Sequence, residues 1–191
     1  RNWGSVSQHT RAEIYKMLSN KIQWQSLLKR FCGYTKKDQR NSSVRKLHGK
    51  YPGVHPGAKK VYRPMIAVYI DESGSVSNKE LAAFYAELDN LSRNTDFYLY
   101  KFDHSVDDKG GFLWKKNKRP NMHRSLTGGT SFKAVSNHAI KNKRKFDGYI
   151  VLTDGGAPKP GPSFRMKRCW ILAKNCKLAF EADKSDVTIN M

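Results

Sequence analysis

The stretch Met65-Ile66-Ala67-Val68-Tyr69-Ile70-Asp71-Glu72-Ser73-Gly74-Ser75 is where the texture of the chain changes. An unbroken apolar run that ends in a carboxylate is the pattern of a strand buried on both faces, since a strand with one wet face would alternate. Directly after it, Asp71, Ser73 and Ser75 place three oxygen-bearing side chains at alternate positions, and Gly74 lets the backbone turn tightly between them. Ser77 and Glu80 then have capping-box spacing, and Leu81, Phe84, Leu88 and Leu91 form one apolar stripe on the helix expected from about Asn78.

Towards the C-terminus the same alternation continues. Phe97 to Phe102 reads as a strand, Phe112 to Trp114 as a short edge strand, and Phe132 to Asn142 as a weaker helix. Tyr149 to Thr153 and Cys169 to Ala173 read as buried strands, and Val187 to Asn190 as the last. Strands alternating with helices predict an α/β fold, a central and mostly parallel sheet flanked by helices.

Towards the N-terminus the pattern is different. Thr10-Arg11-Ala12-Glu13 has capping-box spacing ahead of Ile14, Met17 and Leu18, and Trp24, Leu27, Leu28 and Phe31 continue a helical period as far as Gly33. Between Tyr34 and Arg63 basic residues, Gly, Pro and Ser surround scattered single hydrophobes, which reads as an irregular connector. The expectation is a helical, basic N-terminal segment and connector over residues 1–64 and an α/β domain over residues 65–191.

The formal charge of +20 is uneven. Residues 1–64 hold 15 basic and 2 acidic residues, residues 65–108 hold 3 and 9, and residues 109–191 hold 18 and 5. The carboxylate-rich middle is thus flanked by basic segments that could meet phosphates or an acidic protein surface. Cys32, Cys169 and Cys176 make neither a CxxC pair nor a zinc spacing with the histidines, which argues for a reduced, cytoplasmic setting. No stretch of about 18 apolar residues and no export signal is visible, so no membrane partner is expected. Arg1 in place of Met leaves open that the chain is a fragment or a processed product.

Two further pieces recur at comparable places. Thr127-Gly128-Gly129-Thr130-Ser131 precedes the second helix, and Leu152-Thr153-Asp154-Gly155-Gly156 ends a strand. In open α/β sheets, loops at the carboxyl ends of strands are where ligands gather. Hydroxyls and carboxylates without His or Cys suit a small hard cation such as Mg²⁺. A single DxSxS is a weak signal, because Asp, Ser and Gly are ordinary turn residues. Three such pieces in order, each at the end of an α/β element, are a strong one.

DxSxS, a Thr in a Gly-Gly-Thr loop and a later Thr-Asp-Gly resemble the metal-ion-dependent adhesion site of von Willebrand factor A domains. The resemblance implies that fold, a Rossmann-like sheet, and a site made of Asp71, Ser73, Ser75, Thr130 and Asp154. It further implies Ser73, Ser75 and Thr130 as direct ligands of Mg²⁺, with Mn²⁺ as an alternative ion, and Asp71 and Asp154 acting through bound water. One position would stay open for an acidic group of a partner protein. The chain is also similar, over nearly its whole length, to the von Willebrand A-like C-terminal region of bacterial and phage metallopeptidase-type proteins. The shared order runs from Trp3-Gly4 and Trp24 to Phe31, through Gly129-Thr130-Ser131-Phe132, to Pro158 to Pro162 and Trp170-Ile171-Leu172. HExxH, which accompanies peptidase activity in such proteins, is absent, as are a Walker A motif and an evident catalytic triad. The leading expectation is a non-enzymatic, Mg²⁺-dependent protein-interaction module coupled to an AAA+ ATPase of the MoxR type.

Two alternatives come from other classes. Lys115-Lys116-Asn117-Lys118-Arg119 beside Trp114, and Lys141 to Lys145 beside Phe146, pair charge with aromatic rings as a nucleic-acid surface would. A hydrolase using the ion to activate water is weaker, because neutral hydroxyls and no paired carboxylate bridge would hold it. Asp103-His104 reads more readily as a surface turn than as part of the edge, Glu72 either adds charge near the site or faces solvent, and the remaining histidines are too scattered to form a ligand set.

Overall fold

The elements follow in the order β1 (Gln39–Leu47), β2 (Pro56–Val61), β3 (Ile66–Asp71), α1 (Asn78–Ser92), β4 (Phe97–Phe102), β5 (Phe112–Trp114), α2 (Phe132–Lys141), β6 (Gly148–Thr153), β7 (Lys167–Leu172) and β8 (Val187–Asn190). This computed structural model describes residues 39–61, 65–108, 110–116, 118, 124, 128–164 and 166–191. The helices expected between Thr10 and Gly33 lie outside the described residues.

Strands β3 to β8 form one sheet in the spatial order β5-β4-β3-β6-β7-β8, with every neighbouring pair parallel except β4 and β5. All six residues of β3 and all six of β6 are buried, which is what their uninterrupted apolar sequences require. Successive side chains go to opposite faces. Ile66, Val68, Ile70, Ile150, Leu152, Cys169 and Ile171 therefore join the core under α1, while Ala67, Tyr69, Tyr149, Val151 and Trp170 join a second core under α2. The apolar stripe of α1 lands on the first core, with Phe84, Leu88 and Leu91 wholly buried. Its start is fixed by the expected capping box, in which Ser77 Oγ accepts from the Glu80 N–H (3.2 Å) and Glu80 Oε2 accepts from the Ser77 N–H (2.8 Å).

The segment read as an irregular connector is partly ordered. β1 and β2 pair antiparallel as a separate two-stranded sheet with a register irregularity between Ser43 and Leu47. Its polar, lysine-rich sequence has no two-residue hydrophobic period, so the backbone ladder left no side-chain signature to read. Val44, Leu47, Tyr51 and Val54 stay exposed, and neither apolar core draws on this hairpin.

Under α2 the core carries many hydroxyls. Tyr69, with no exposed surface, has its hydroxyl 2.7 Å from His138 Nδ1, and His138 Nε2 lies 2.7 Å from Asp108 Oδ1. A proton on Nε2 directed at the carboxylate leaves Nδ1 to accept from the Tyr69 hydroxyl, so a neutral imidazole satisfies all three groups. Burial holds His138 below its ordinary pKa against the upward pull of Asp108, with Lys141 and Lys145 lowering it further. An unfolded chain takes up the proton near pH 6.5 and the folded one only at lower pH, so this contribution to stability is whole above about pH 6.5 and is lost as pH falls from there. The urea midpoint is expected to drop across that window and to drop less steeply in His138→Gln. An identical pH slope in the variant would place the acid sensitivity elsewhere.

Candidate functional site at the carboxyl edge

The chain leaves β3 towards β4 on one side and returns through β6 to β7 on the other, so β3 and β6 flank the switch point of the sheet, where a crevice opens beyond the strand ends. Asp71 ends β3 and Thr153 ends β6, in a parallel register that pairs Ile70 with Leu152. The Thr153 hydroxyl donates to Asp71 Oδ2 (2.6 Å), and the Ser73 N–H donates to Asp71 Oδ1 (3.0 Å). Ser73 Oγ and Ser75 Oγ stand 3.1 Å apart. Asp154, half-buried, accepts from the Gly156 N–H (3.1 Å) and stands 3.4 Å from the Thr153 hydroxyl. Asp71, Ser73, Ser75 and Asp154 thus belong to one connected cluster, with Thr153 as its bridge.

The Gly-Gly-Thr loop is brought to the same cluster. The Gly74 N–H donates to the Gly128 carbonyl (3.4 Å), which sets the half-buried Thr130 two residues beyond the contact. Ser131 caps α2, accepting from the Ala134 N–H (3.4 Å), and its own N–H donates to the Asp103 carbonyl (2.9 Å). Asp103-His104 does lie in a turn with His104 exposed, but Asp103 itself is buried at this edge. Only 4% exposed, it accepts from the Ser105 N–H (2.9 Å), and its carboxylate packs against Gly128. Its place could have been read from the sequence, as the residue after a strand adjacent to β3. Arg124, which sequence reasoning passed over, donates to the Val76 carbonyl just before α1.

Glu72 does not face solvent. It is wholly buried, paired with Lys101 Nζ (2.8 Å) and within 3.5 Å of the Tyr85 hydroxyl. Burial pushes the Asp71 carboxyl above its ordinary range, opposed by the hydrogen bonds from Ser73 and Thr153 and reinforced by the Asp154 charge. Among the described residues, no three His, Cys, Asp or Glu side chains gather as a metal-holding group, so an ion at this edge would depend on hydroxyl oxygens. Both aromatic partners of the basic clusters are in the core, Trp114 with no exposed surface and Phe146 with 2%. Neither ring can stack on a base, and the described basic residues Lys115 and Lys116 after β5 and Lys141 to Lys145 before β6 lie towards the amino ends of the parallel strands, away from this cluster. The nucleic-acid reading is not favoured. No described helix is long and apolar enough to cross a membrane.

The family model described as a VWA-like domain (DUF2201) matches residues 66–180, from the first residue of β3 to beyond β7. The chain belongs to this family. A relative in Thermotoga maritima, itself described as an uncharacterized protein, is 29% identical over 153 residues; the match takes in 78% of this chain and 38% of the relative. The chain thus spans well under half the length of that curated relative. Among solved structures, an aerotolerance-related membrane protein from Bacteroides fragilis superimposes with a TM-score of 0.42 at 14% identity, covering 63% of this chain and 74% of that one. The conserved hypothetical protein BatB from Bacteroides thetaiotaomicron gives 0.44 at 11% identity, covering 67% and 90%.

Within this VWA-like domain the glycine of Thr-Asp-Gly is fixed by geometry. Gly155 has φ +87°, its N–H donates to Thr153 Oγ1 (3.1 Å), and a Cβ there would lie 2.6 Å from the Lys177 carbonyl oxygen. Gly155→Ala is expected to cost about 1–3 kcal/mol, read as a lower urea midpoint, with strain and overlap acting together. Gly156→Ala, whose Cβ would meet nothing nearer than 3.6 Å, is the matched control. Equal midpoints for the two would remove the geometric account of Gly155.

Proposed function

We propose that this VWA-like domain is a protein-interaction module in which Asp71, Ser73, Ser75, Thr130 and Asp154 hold Mg²⁺, or Mn²⁺ in its place, and a partner's Asp or Glu completes the site. The observation that carries the reading is the cluster of hydroxyls and carboxylates at the switch point. Adjacent oxygens of an octahedral site with bonds of about 2.1 Å are about 3.0 Å apart. Ser73 Oγ and Ser75 Oγ, hydrogen-bonded to each other here, are separated by 3.1 Å, a spacing that supports their serving as adjacent ligands of a small hard ion.

The chain's own groups have separate tasks. Asp71 takes the Ser73 N–H and the Thr153 hydroxyl, which fixes the turn that presents Ser73 and Ser75. Gly128 docks the second loop on the first through Gly74, which supports a role for Thr130, two residues further on. Asp71 and Asp154 supply negative charge that a cation relieves and that repels an unaided acidic partner. When bound, the ion would supply an electrophilic position for a carboxylate oxygen. The family resemblance points to an AAA+ ATPase of the MoxR type as the partner.

Calorimetric titration of the chelator-stripped chain with Mg²⁺ tests the reading. Wild type is expected to take up a single ion, and a folded Asp71→Ala, Asp154→Ala double variant none. At an ion concentration about 100-fold above Kd, wild type should gain about 2.7 kcal/mol of stability and the variant nothing. Equal uptake by both proteins, or none by wild type with or without partner, would defeat the proposal.

A further inference from the structure

A cavity of about 210 Å³ lies on the α1 face, between α1 and the carboxyl ends of β7 and β8. Ala83 and Phe84 of α1, Ala173 after β7 and Met191 after β8 give it an apolar lining, and Lys79 and Lys174 stand at its rim. The one acid in its wall, Glu80, turns its carboxylate to the Ser77 N–H and hydroxyl (2.8 and 2.7 Å). Among the described residues, neither Lys79 nor Lys174 makes an ion pair. The cavity is thus apolar within and cationic at its mouth. Small-molecule sites usually enclose about 300–1,000 Å³, so this one suits a single large side chain better than a drug-sized ligand.

Its position ties it to the carboxyl edge. The Ala173 N–H donates to the Thr153 carbonyl (3.1 Å), directly before Asp154, and the Met191 N–H donates to the Leu172 carbonyl (3.1 Å).

We infer that this cavity is a specificity pocket of the proposed interaction site, accepting a large apolar side chain of a partner segment whose flanking carboxylates meet Lys79 and Lys174. The inference rests on the metal-dependent reading above and deepens it. The partner is a peptide segment that carries an acidic residue for the metal and, nearby in sequence, an apolar residue for the pocket. Burial of that side chain supplies affinity, and the two lysines reject segments with basic flanks.

A displayed library of random linear peptides, panned on the intact chain with Mg²⁺ present, tests this. Bound peptides are recovered by denaturation and sorted by whether chelator releases them. Chelator-released peptides are expected to share an acidic residue near a large apolar one. Their affinity should fall about tenfold or more in Ala83→Gln, which crowds the pocket from an exposed helix position without adding charge. It should fall less in Lys79→Ala with Lys174→Ala, and remain unchanged in Lys143→Ala at the opposite end of the sheet. Chelator-sensitive acidic peptides with no apolar preference and no response to Ala83→Gln would overturn the pocket and leave the metal reading standing. Apolar peptides lost in Ala83→Gln but indifferent to chelator and to Asp71→Asn would keep the pocket and overturn the metal reading. Failure to enrich any peptide would overturn the inference. So would a dimer of the chain that Ala83→Gln dissociates, since a second copy would then be the occupant.

Discussion

The hydrogen bond from the Thr153 hydroxyl to Asp71 Oδ2 (2.6 Å) closes the seam between the two central strands, and the edge depends on it. The chain runs outward from β3 through β4 to β5, then starts again from β6 on the other side. The loops leaving β3 and β6 consequently part, and a buried carboxylate sits where they do. Lys101, the nearest cation along the neighbouring strand, is paired with Glu72. Asp71 is left with neutral donors only, and these offset its desolvation in part, which is why burial dominates and pushes its carboxyl upward. An anionic group kept in a costly place by a backbone N–H and the hydroxyls of Ser73 and Thr153 is a feature that a cation would stabilise and that packing alone does not require.

The two faces of the sheet support that edge differently. The α1 face is apolar apart from the buried Glu72, which Lys101 and Tyr85 answer, and it fixes the helix by shape, so the first turn, with Ser77 and Glu80, is held beside the DxSxS loop. The α2 face buries hydroxyls and charges, and each must be answered where water cannot reach. Tyr69 is answered by His138, and Tyr149 by Ser136 Oγ (3.1 Å). Arg168, with no exposed side-chain surface, donates to Asp186 and Asp183 (2.7 Å each) and to the Gly161 carbonyl (3.2 Å). Trp170 Nε1 donates to the same Asp186 carboxylate (2.9 Å). Removing either acid would strand a buried charge, so this network ties the segment before β8 to β7 and thereby sets the course of the chain to Met191.

What the sequence makes legible follows from which interactions leave a periodic trace. Buried parallel strands do: Ile66 to Ile70 and Tyr149 to Leu152 are runs that few other structures tolerate, and the helix of Leu81, Phe84, Leu88 and Leu91 shows its stripe and its capping box together. The hairpin of β1 and β2 does not, because its ladder joins backbone groups and its side chains neither alternate nor enter a core. The burial of Asp103 and of Glu72 leaves no such trace, for a related reason. Both are charged residues at strand ends, where solvent is the ordinary expectation. Their burial depends on partners far along the chain, Ser131 and Gly128 for one, Lys101 and Tyr85 for the other. The candidate residues stand out in the sequence as a set of three loops, but what draws Asp71, Ser73, Ser75 and Asp154 into one cluster is Thr153, whose role appears only when β3 and β6 are seen side by side.

On the proposed reading, the charge of the chain and the chemistry of its edge act at different ranges. A net charge of +20 attracts acidic partners over distances set by salt screening, and it does so without regard to their sequence. At contact the sign reverses, because a carboxylate arriving at the switch point meets Asp71 and Asp154, with Asp103 close by. Only a cation seated among the hydroxyls of Ser73, Ser75 and Thr130 makes that last approach favourable, and neutral ligands leave more of the ion's charge available to the incoming carboxylate than carboxylate ligands would. The basic surface would then govern how often acidic partners arrive, and the metal edge which of them stay.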